Sequence, residues 1–269
     1  METKMLEQAC TLLENLHQQS PLVHCMTNAV VNEITANVLL AVGAAPAMIP
    51  DAEEAEIFAK VAGALLINVG TITHEQADAM LRAAKAANVA GTPWVLDPVA
   101  VGVLPLRTKT AQKLLEFKPT IIRGNASEIL ALAGGNATGR GVDSTLGVEN
   151  AEVAAGTLAK KTGGTVLVTG ETDFVVDANG NVARVKNGTL QLTRVTGVGC
   201  SQGALLAALV AVAGGNAFLA ALTGALMTGI AGEVAAEKSA AIGSFACELL
   251  NAYDTLSPAL LRERANFIF

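Results

Sequence analysis

Residues 195–210, VTGVGCSQGALLAALV, put two glycines around a valine, then a cysteine, then a long apolar helix. A turn of this kind brings backbone N–H groups up to an anion at a helix N-terminus. Gly197 and Gly199 therefore mark an anion-binding turn, and Cys200 places a thiol at its mouth. Other stretches carry groups suited to phosphate and metal chemistry. WVLDPVAVG leaves Asp97 at the end of an apolar run, with Pro98 forcing the chain to turn. A carboxylate there either caps the turn or holds magnesium, directly or through water. IIRGNASEI offers Arg123, Asn125 and Glu128, of which Asn125 and Glu128 have capping-box spacing. Capping leaves Arg123 unexplained, and a guanidinium pairs well with phosphate oxygens. Glu128 also suits an outer position around a cation. VLVTGETD supplies Thr169 and Gly170, small enough for a nucleotide to approach the backbone. HCMTNAVVNE contains His24, Thr27 and Asn28. A lone histidine on an apolar strand is more often a core residue, and Asn28 reads as a helix cap that can also offer a donor to a ligand. Met48, in PAMIP, is packing, or a thioether against a flat heteroaromatic ring.

The frame for these groups follows from short apolar runs alternating with helical periodicity. PLVHCMT, APAMI, ALLINVG, PWVLDP, PTIIRGN and GTVLVTG read as strands, and helical stretches such as NAVVNEITANVLLAVGA, DAEEAEIFAKVA and TITHEQADAMLRAAKAAN fall between them. Asp51/Glu54 and Thr73/Gln76 repeat the capping spacing. DFVVDANGNVARV is an Asn-Gly hairpin between two strands. The expected fold class is α/β, with a largely parallel central sheet, helices on both faces and an antiparallel edge hairpin, in one domain spanning residues 1–269. Ligands bind such sheets beyond the carboxyl ends of the strands. The candidate residues cluster at those ends.

Composition narrows the partners. Hydrophobic residues make up 51% of the 269-residue chain and aromatics only 3%, so the core must be Ala, Val, Leu and Ile. A net charge of −6, with no Lys/Arg cluster, argues against nucleic acid as a partner. Four scattered cysteines (Cys10, Cys25, Cys200, Cys247) lack CxxC or zinc-type spacing, and the amphipathic opening stretch lacks a signal-peptide core. A reducing cytoplasm with free thiols is the expected setting. From Cys200 to Gly232 no residue is charged, which is long enough to cross a bilayer. Yet AGGNAF at 213–218 breaks the run, and its flanks lack basic clusters and Trp/Tyr belts. Two consecutive buried helices are expected there, and no membrane.

Together, PLVHCMTNAVVNEITANVLLAVGAAPAM, LDPVAVG, IIRGNASEI, VLVTGETD and VTGVGCSQGA resemble the hydroxyethylthiazole kinase family, in order and over essentially the whole chain. The resemblance implies a ribokinase-like α/β fold. It implies transfer of phosphate from ATP, with Mg2+, to the hydroxyl of 4-methyl-5-(2-hydroxyethyl)thiazole in thiamine salvage. It implies a homotrimer with active sites between subunits. By motif, Met48 and Gly197 would lie against the thiazole with Asn28 nearby, while Arg123, Thr169 and Gly199 would meet ATP. Asp97 and Glu128 would serve the magnesium and phosphates. Most ribokinase-like kinases have Gly-x-Gly-Asp at the anion-hole turn, where this chain has GVGC. Thiazole kinases share the cysteine, so the resemblance makes Cys200 the catalytic group facing the substrate hydroxyl.

Alternatives stay open. Within the superfamily they are a kinase for another small alcohol and an ATP-dependent hydrate dehydratase. A cysteine hydrolase would need a paired base, and His17 and His74 fall on expected helices. A Rossmann enzyme would carry its glycine turn after the first strand, whereas the turn here lies near residue 197.

Overall fold

The computed structural model describes residues 1–134 and 145–269. The chain opens with α1 (Glu2–Gln19), β1 (Leu22–Met26), α2 (Asn32–Ala41), β2 (Ala45–Ala47) and α3 (Ala52–Phe58). It continues through β3 (Ala64–Asn68), α4 (His74–Ala90), β4 (Trp94–Asp97), α5 (Pro105–Leu114), β5 (Ile121–Asn125) and α6 (Ala126–Leu132). After α7 (Thr145–Thr162) come β6 (Thr165–Thr169), β7 (Asp173–Asp177) and β8 (Val182–Val185). The chain ends in α8 (Val198–Val212), α9 (Ala217–Lys238), α10 (Ile242–Asp254), α11 (Pro258–Arg264) and β9 (Phe267–Ile268).

The strands form one sheet in the order β2-β1-β3-β4-β5-β6-β7-β8-β9. The pairs from β2 to β6 are parallel, and β6/β7, β7/β8 and β8/β9 are antiparallel. Alternation of side chains across the strands feeds two cores. Leu66 faces the cluster that also holds residues of α1, α2, α8, α9 and α10, while Leu65 and Ile67 face the one built with α3 to α7. That is the expected layered α/β arrangement. The chain leaves β1 toward β2 on one side and leaves β3 toward β4 on the other. The carboxyl ends of β1 and β3 therefore flank the crevice where such sheets bind ligands.

The charge-free run is two helices, as the sequence indicates. Gly214 and Gly215 adopt positive φ, and Asn216 caps α9 by accepting the Leu219 N–H. Among the described residues α9 alone is long and apolar enough to cross a membrane, but 83% of that window is buried inside the fold. Its apolar surface is spent on the core.

Boundaries differ from expectation at several places. α2 starts at Asn32 and not at Asn28, because the Asn28 carboxamide oxygen accepts the Val30 N–H within a preceding turn. β2 ends at Ala47, which leaves Met48 just beyond the strand. The two-residue β9 has no turn or periodicity signature and is held by backbone pairing to β8.

Candidate active site

A chain of polar side chains crosses the carboxyl ends of β1, β3, β4 and β5. The Asn28 amide nitrogen donates to Asn68 Oδ1 at 3.0 Å and approaches Cys200 Sγ at 3.6 Å. Asn68, the last residue of β3, donates from Nδ2 to Asp97 Oδ2 at 2.7 Å. Asp97 Oδ1 has no hydrogen-bond partner, although Arg123 Nη1 stands 3.8 Å away. Arg123 Nε donates to Gln202 Oε1 at 2.9 Å. Asn68 and Asp97 are fully buried, and Arg123 is mostly so. Burial pushes the Asp97 carboxyl up to about 7; Glu128 adds to the rise, and the Arg123 charge and the Asn68 hydrogen bond oppose it.

Helix α8 points its N-terminus into this chain. Gly197 caps it with φ 92°, and a Cβ there would lie 2.6 Å from Ile34 Cγ2 on α2, so only glycine fits. The first N–H to bond within the helix is that of Ser201, which donates to Gly197 O at 2.8 Å. The N–H groups of Val198, Gly199 and Cys200 therefore lack helical acceptors and form the positive end of the helix. Arg123 lies directly over this end. A Cβ on Gly199 would come within 2.7 Å of its Nη2, so the missing side chain lets the guanidinium cross the turn.

Cys200 is half-buried. Burial, with the Asp97 charge adding to it, pushes its thiol above the ordinary value. The Asn68 and Asn28 amides and the charge of Arg123 pull the other way. The thiol is held protonated at neutral pH, so its strength as a base is modest.

On the other side of Arg123 opens a cleft of about 640 Å3, in the range of small-molecule sites. Arg123, Thr169, Gly170, Asp173, Gly199 and Gln202 are among its lining residues; Asn28, Met48 and Cys200 are not. Thr169 Oγ1 donates to Gly124 O at 3.4 Å, and the Gly170 N–H donates to Asp173 at 3.0 Å. Burial pushes the Asp173 carboxyl up to about 6 against that bond and the Arg123 charge.

Glu128 completes a capping box with Asn125 and reaches further. Its Oε2 accepts the Asn125 N–H and its Oε1 accepts the Ala100 N–H, both at 2.9 Å. The second bond pins the turn after β4, where Ala100 holds a positive φ of 57°. Both Glu128 oxygens are therefore engaged by backbone, whereas Asp97 keeps one free oxygen. Among the described residues no group of three or more His, Cys, Asp or Glu side chains is placed to hold a metal ion. A magnesium ion fits this set only if it keeps water and nucleotide phosphate oxygens as ligands, which is its usual habit. Asp97 Oδ1 is the group that fits it directly, and Glu128 fits at one remove.

The structure thus brings Asn28, Asp97, Arg123, Gly197, Gly199 and Cys200 together, with Thr169 along the adjoining cleft. Met48, just beyond β2, is half-buried against the same core as Ile34 and Val198. His24 is fully buried, with Nε2 2.9 Å from Ile49 O and the ring edge-on to Phe58 at 5.3 Å. It is a packed core residue. Asn68 is a site residue outside the sequence motifs, and Gln202 and Asp173 lie inside VTGVGCSQGA and VLVTGETD without a role being read for them.

Comparison with known proteins places the chain in a family. Residues 13–259 match the model of the Hydroxyethylthiazole kinase family. The hydroxyethylthiazole kinase of Akkermansia muciniphila is 49% identical over 99% of this chain and 98% of its own. That of Granulibacter bethesdensis is 48% identical over 98% and 96%. The solved structure of the hydroxyethylthiazole kinase protein from Pyrococcus horikoshii superposes with a TM-score of 0.87 at 37% identity, over 97% of this chain and 98% of that one. The pyridoxal kinase of Staphylococcus aureus in complex with ADP, 16% identical, shares the fold at a TM-score of 0.61 over 79% of this chain and 87% of its own. With a ribokinase-like fold and a family match over most of its length, the chain belongs to the hydroxyethylthiazole kinase family.

Proposed function

We propose that this chain transfers the γ-phosphoryl group of ATP to the hydroxyl of 4-methyl-5-(2-hydroxyethyl)thiazole, in thiamine salvage. The observation that carries the reading is the N-terminus of α8, with Arg123 across Gly199 on one side and Cys200 against Asn28 on the other. ATP occupies the cleft beside Thr169, with its phosphates running toward Arg123 and the free N–H groups. The thiazole lies on the Asn28, Gly197 and Met48 side, where its hydroxyl meets Cys200. Phosphoryl transfer draws mainly on positioning and charge stabilisation. The Val198, Gly199 and Cys200 N–H groups and the Arg123 guanidinium supply both, and the Cys200 sulfur accepts the hydroxyl proton in its small thiolate fraction, becoming the thiol. A magnesium ion brought with ATP would be held by Asp97 Oδ1, with Glu128 at one remove, and would supply neutralisation of phosphate charge.

One sheet containing all nine described strands supports a single kinase domain over residues 1–269. Exposed Leu40 on α2, Ile57 on α3 and Val61 in the turn after α3 support assembly into a homotrimer with active sites between subunits. Four free cysteines support a cytoplasmic setting.

The test is ADP release from the purified protein with Mg2+–ATP and a panel of thiazole, pyrimidine, pyridoxal and sugar alcohols. Turnover is expected with the thiazole alcohol above all others. A different preferred alcohol would move the assignment to another ribokinase-like kinase.

Arg123 gives a second measurement. A lysine lacks both the planar fork and the Nε that Gln202 holds. Arg123→Lys is expected to raise the apparent KM for ATP about tenfold, the loss of one charge-assisted hydrogen bond, with a smaller effect on the alcohol. Equal effects on both substrates would mean that Arg123 shapes the pocket and not the nucleotide contact.

A further inference from the structure

We propose that Asn68 is a positioning residue for the transfer reaction: its amide sets the direction of the hydrogen bonds that join Asp97 to Cys200. The inference rests on the kinase reading above. Asn68 ends β3 at the crevice beside β1 and is fully buried. The Gly70 N–H can only donate, and it lies 2.9 Å from Asn68 Oδ1. That contact turns the Asn68 oxygen toward the loop after β1 and its NH2 toward Asp97 Oδ2, 2.7 Å away. Asn28 must then offer its own NH2 to Asn68 Oδ1. The Asn28 oxygen is held independently by the Val30 N–H at 3.2 Å. With both amides fixed, the Asn28 nitrogen turns its second hydrogen to Cys200 Sγ.

Two consequences follow for the reacting groups. The sulfur accepts a hydrogen bond from Asn28, so any proton it carries points elsewhere, and a thiolate there is stabilised. Asp97 Oδ2 is used up, so the free oxygen is Oδ1, on the Arg123 side. Position 70 is built to allow this. A Cβ on Gly70 would lie 2.7 Å from Asn28 Nδ2 and 2.9 Å from Asn68 Oδ1. Replacing Asn68 leaves buried donors and an acceptor unpaired, and the Asn28 amide loses the partner that orients it.

The test uses a Cys247→Ser background, which removes the exposed thiol, while Cys10 and Cys25 are buried. Asn68→Leu, of the same branched outline though larger, and Asn68→Ser, which admits water, are made with Cys200 intact and again with Cys200→Ala. Labelling of Cys200 by iodoacetamide at about pH 8, followed by peptide mass, is expected to slow about tenfold in both Asn68 variants, the worth of a hydrogen bond to a charged group. With Cys200 intact, kcat is expected to fall about 100-fold while KM for either substrate changes little, as when general-base help is lost. On the Cys200→Ala background the same substitutions are expected to cost less than about tenfold in kcat, because coupled sites do not add. An unchanged labelling rate, or a kcat loss as large without the thiol as with it, overturns the proposal and leaves Asn68 a structural residue. If the parent protein turns over no thiazole alcohol, the kinase reading fails instead, and labelling still decides whether Asn68 orients Asn28.

Discussion

Asp97→Asn is expected to abolish measurable turnover with Mg2+–ATP while leaving the free protein at least as stable as the parent at pH 8. The two halves of that result have one cause. The carboxylate is fully buried at the end of β4, with one oxygen accepting from Asn68 and the other unpaired. An unfolded aspartate titrates near 3.8 and the folded Asp97 at about 7. Between those values the folded chain binds more protons than the unfolded one, so the contribution of this group to stability falls as pH rises through the window. A shift of that size is on the order of 4 kcal/mol as an upper bound, with the opposing Arg123 charge already counted in it. Asparagine removes the charge and keeps the shape. The melting temperature of Asp97→Asn relative to the parent should therefore rise between pH 5 and pH 8, while ADP release disappears. A variant that melts lower than the parent at pH 8 would show that the ion pair with Arg123 outweighs the desolvation of the carboxylate. Near-normal turnover at saturating Mg2+–ATP would sink its role toward the metal and phosphates.

What the sequence reveals of this site depends on how far apart the partners lie along the chain. The Thr73/Gln76 and Asn125/Glu128 capping boxes span three residues, and both close as their spacing indicates. Asp51 accepts the Glu53 and Glu54 N–H groups, but Glu54 does not reach back, so that box is only half formed. The glycine turn at 197–200 is legible because its geometry is local. Asn68 is not legible. In ALLIN it reads as the polar end of a buried strand, and its meaning comes from Asn28, 40 residues earlier, and Asp97, 29 residues later. Gln202 sits inside an apolar helix and gains its role from Arg123, 79 residues away. The second task of Glu128, pinning Ala100 in its strained turn, is hidden for the same reason. Periodicity and capping report the elements, and the sheet order decides which of their ends meet.

The remaining large effect is at Cys200, where chemistry and electrostatics oppose each other. General-base help is worth about 10²–10⁴-fold when the base is well matched. Here burial and the Asp97 charge hold the thiol protonated, so the low end of that range applies. Cys200→Ala is expected to lower kcat on the order of 100-fold and to leave KM for the thiazole alcohol nearly unchanged, because the α8 N–H groups and Arg123 still receive the phosphoryl group. Cys200→Asp places a carboxylate where most ribokinase-like kinases carry one. The Asn28 donor that now reaches the sulfur and the positive end of α8 keep that carboxylate ionised at neutral pH. Its kcat is expected to match or exceed that of the parent, with weaker ATP binding from repulsion of the γ-phosphate. The pH profiles separate the two bases. The parent kcat should still be climbing at about pH 9, because burial and the Asp97 charge hold the thiol above its ordinary value, and the Cys200→Asp profile should be flat there. Steady-state kinetics of the three proteins at saturating magnesium decide the matter. A Cys200→Asp protein slower than Cys200→Ala would mean that residue 200 does not face the hydroxyl, since a charged base placed against the acceptor oxygen cannot do worse than a methyl group.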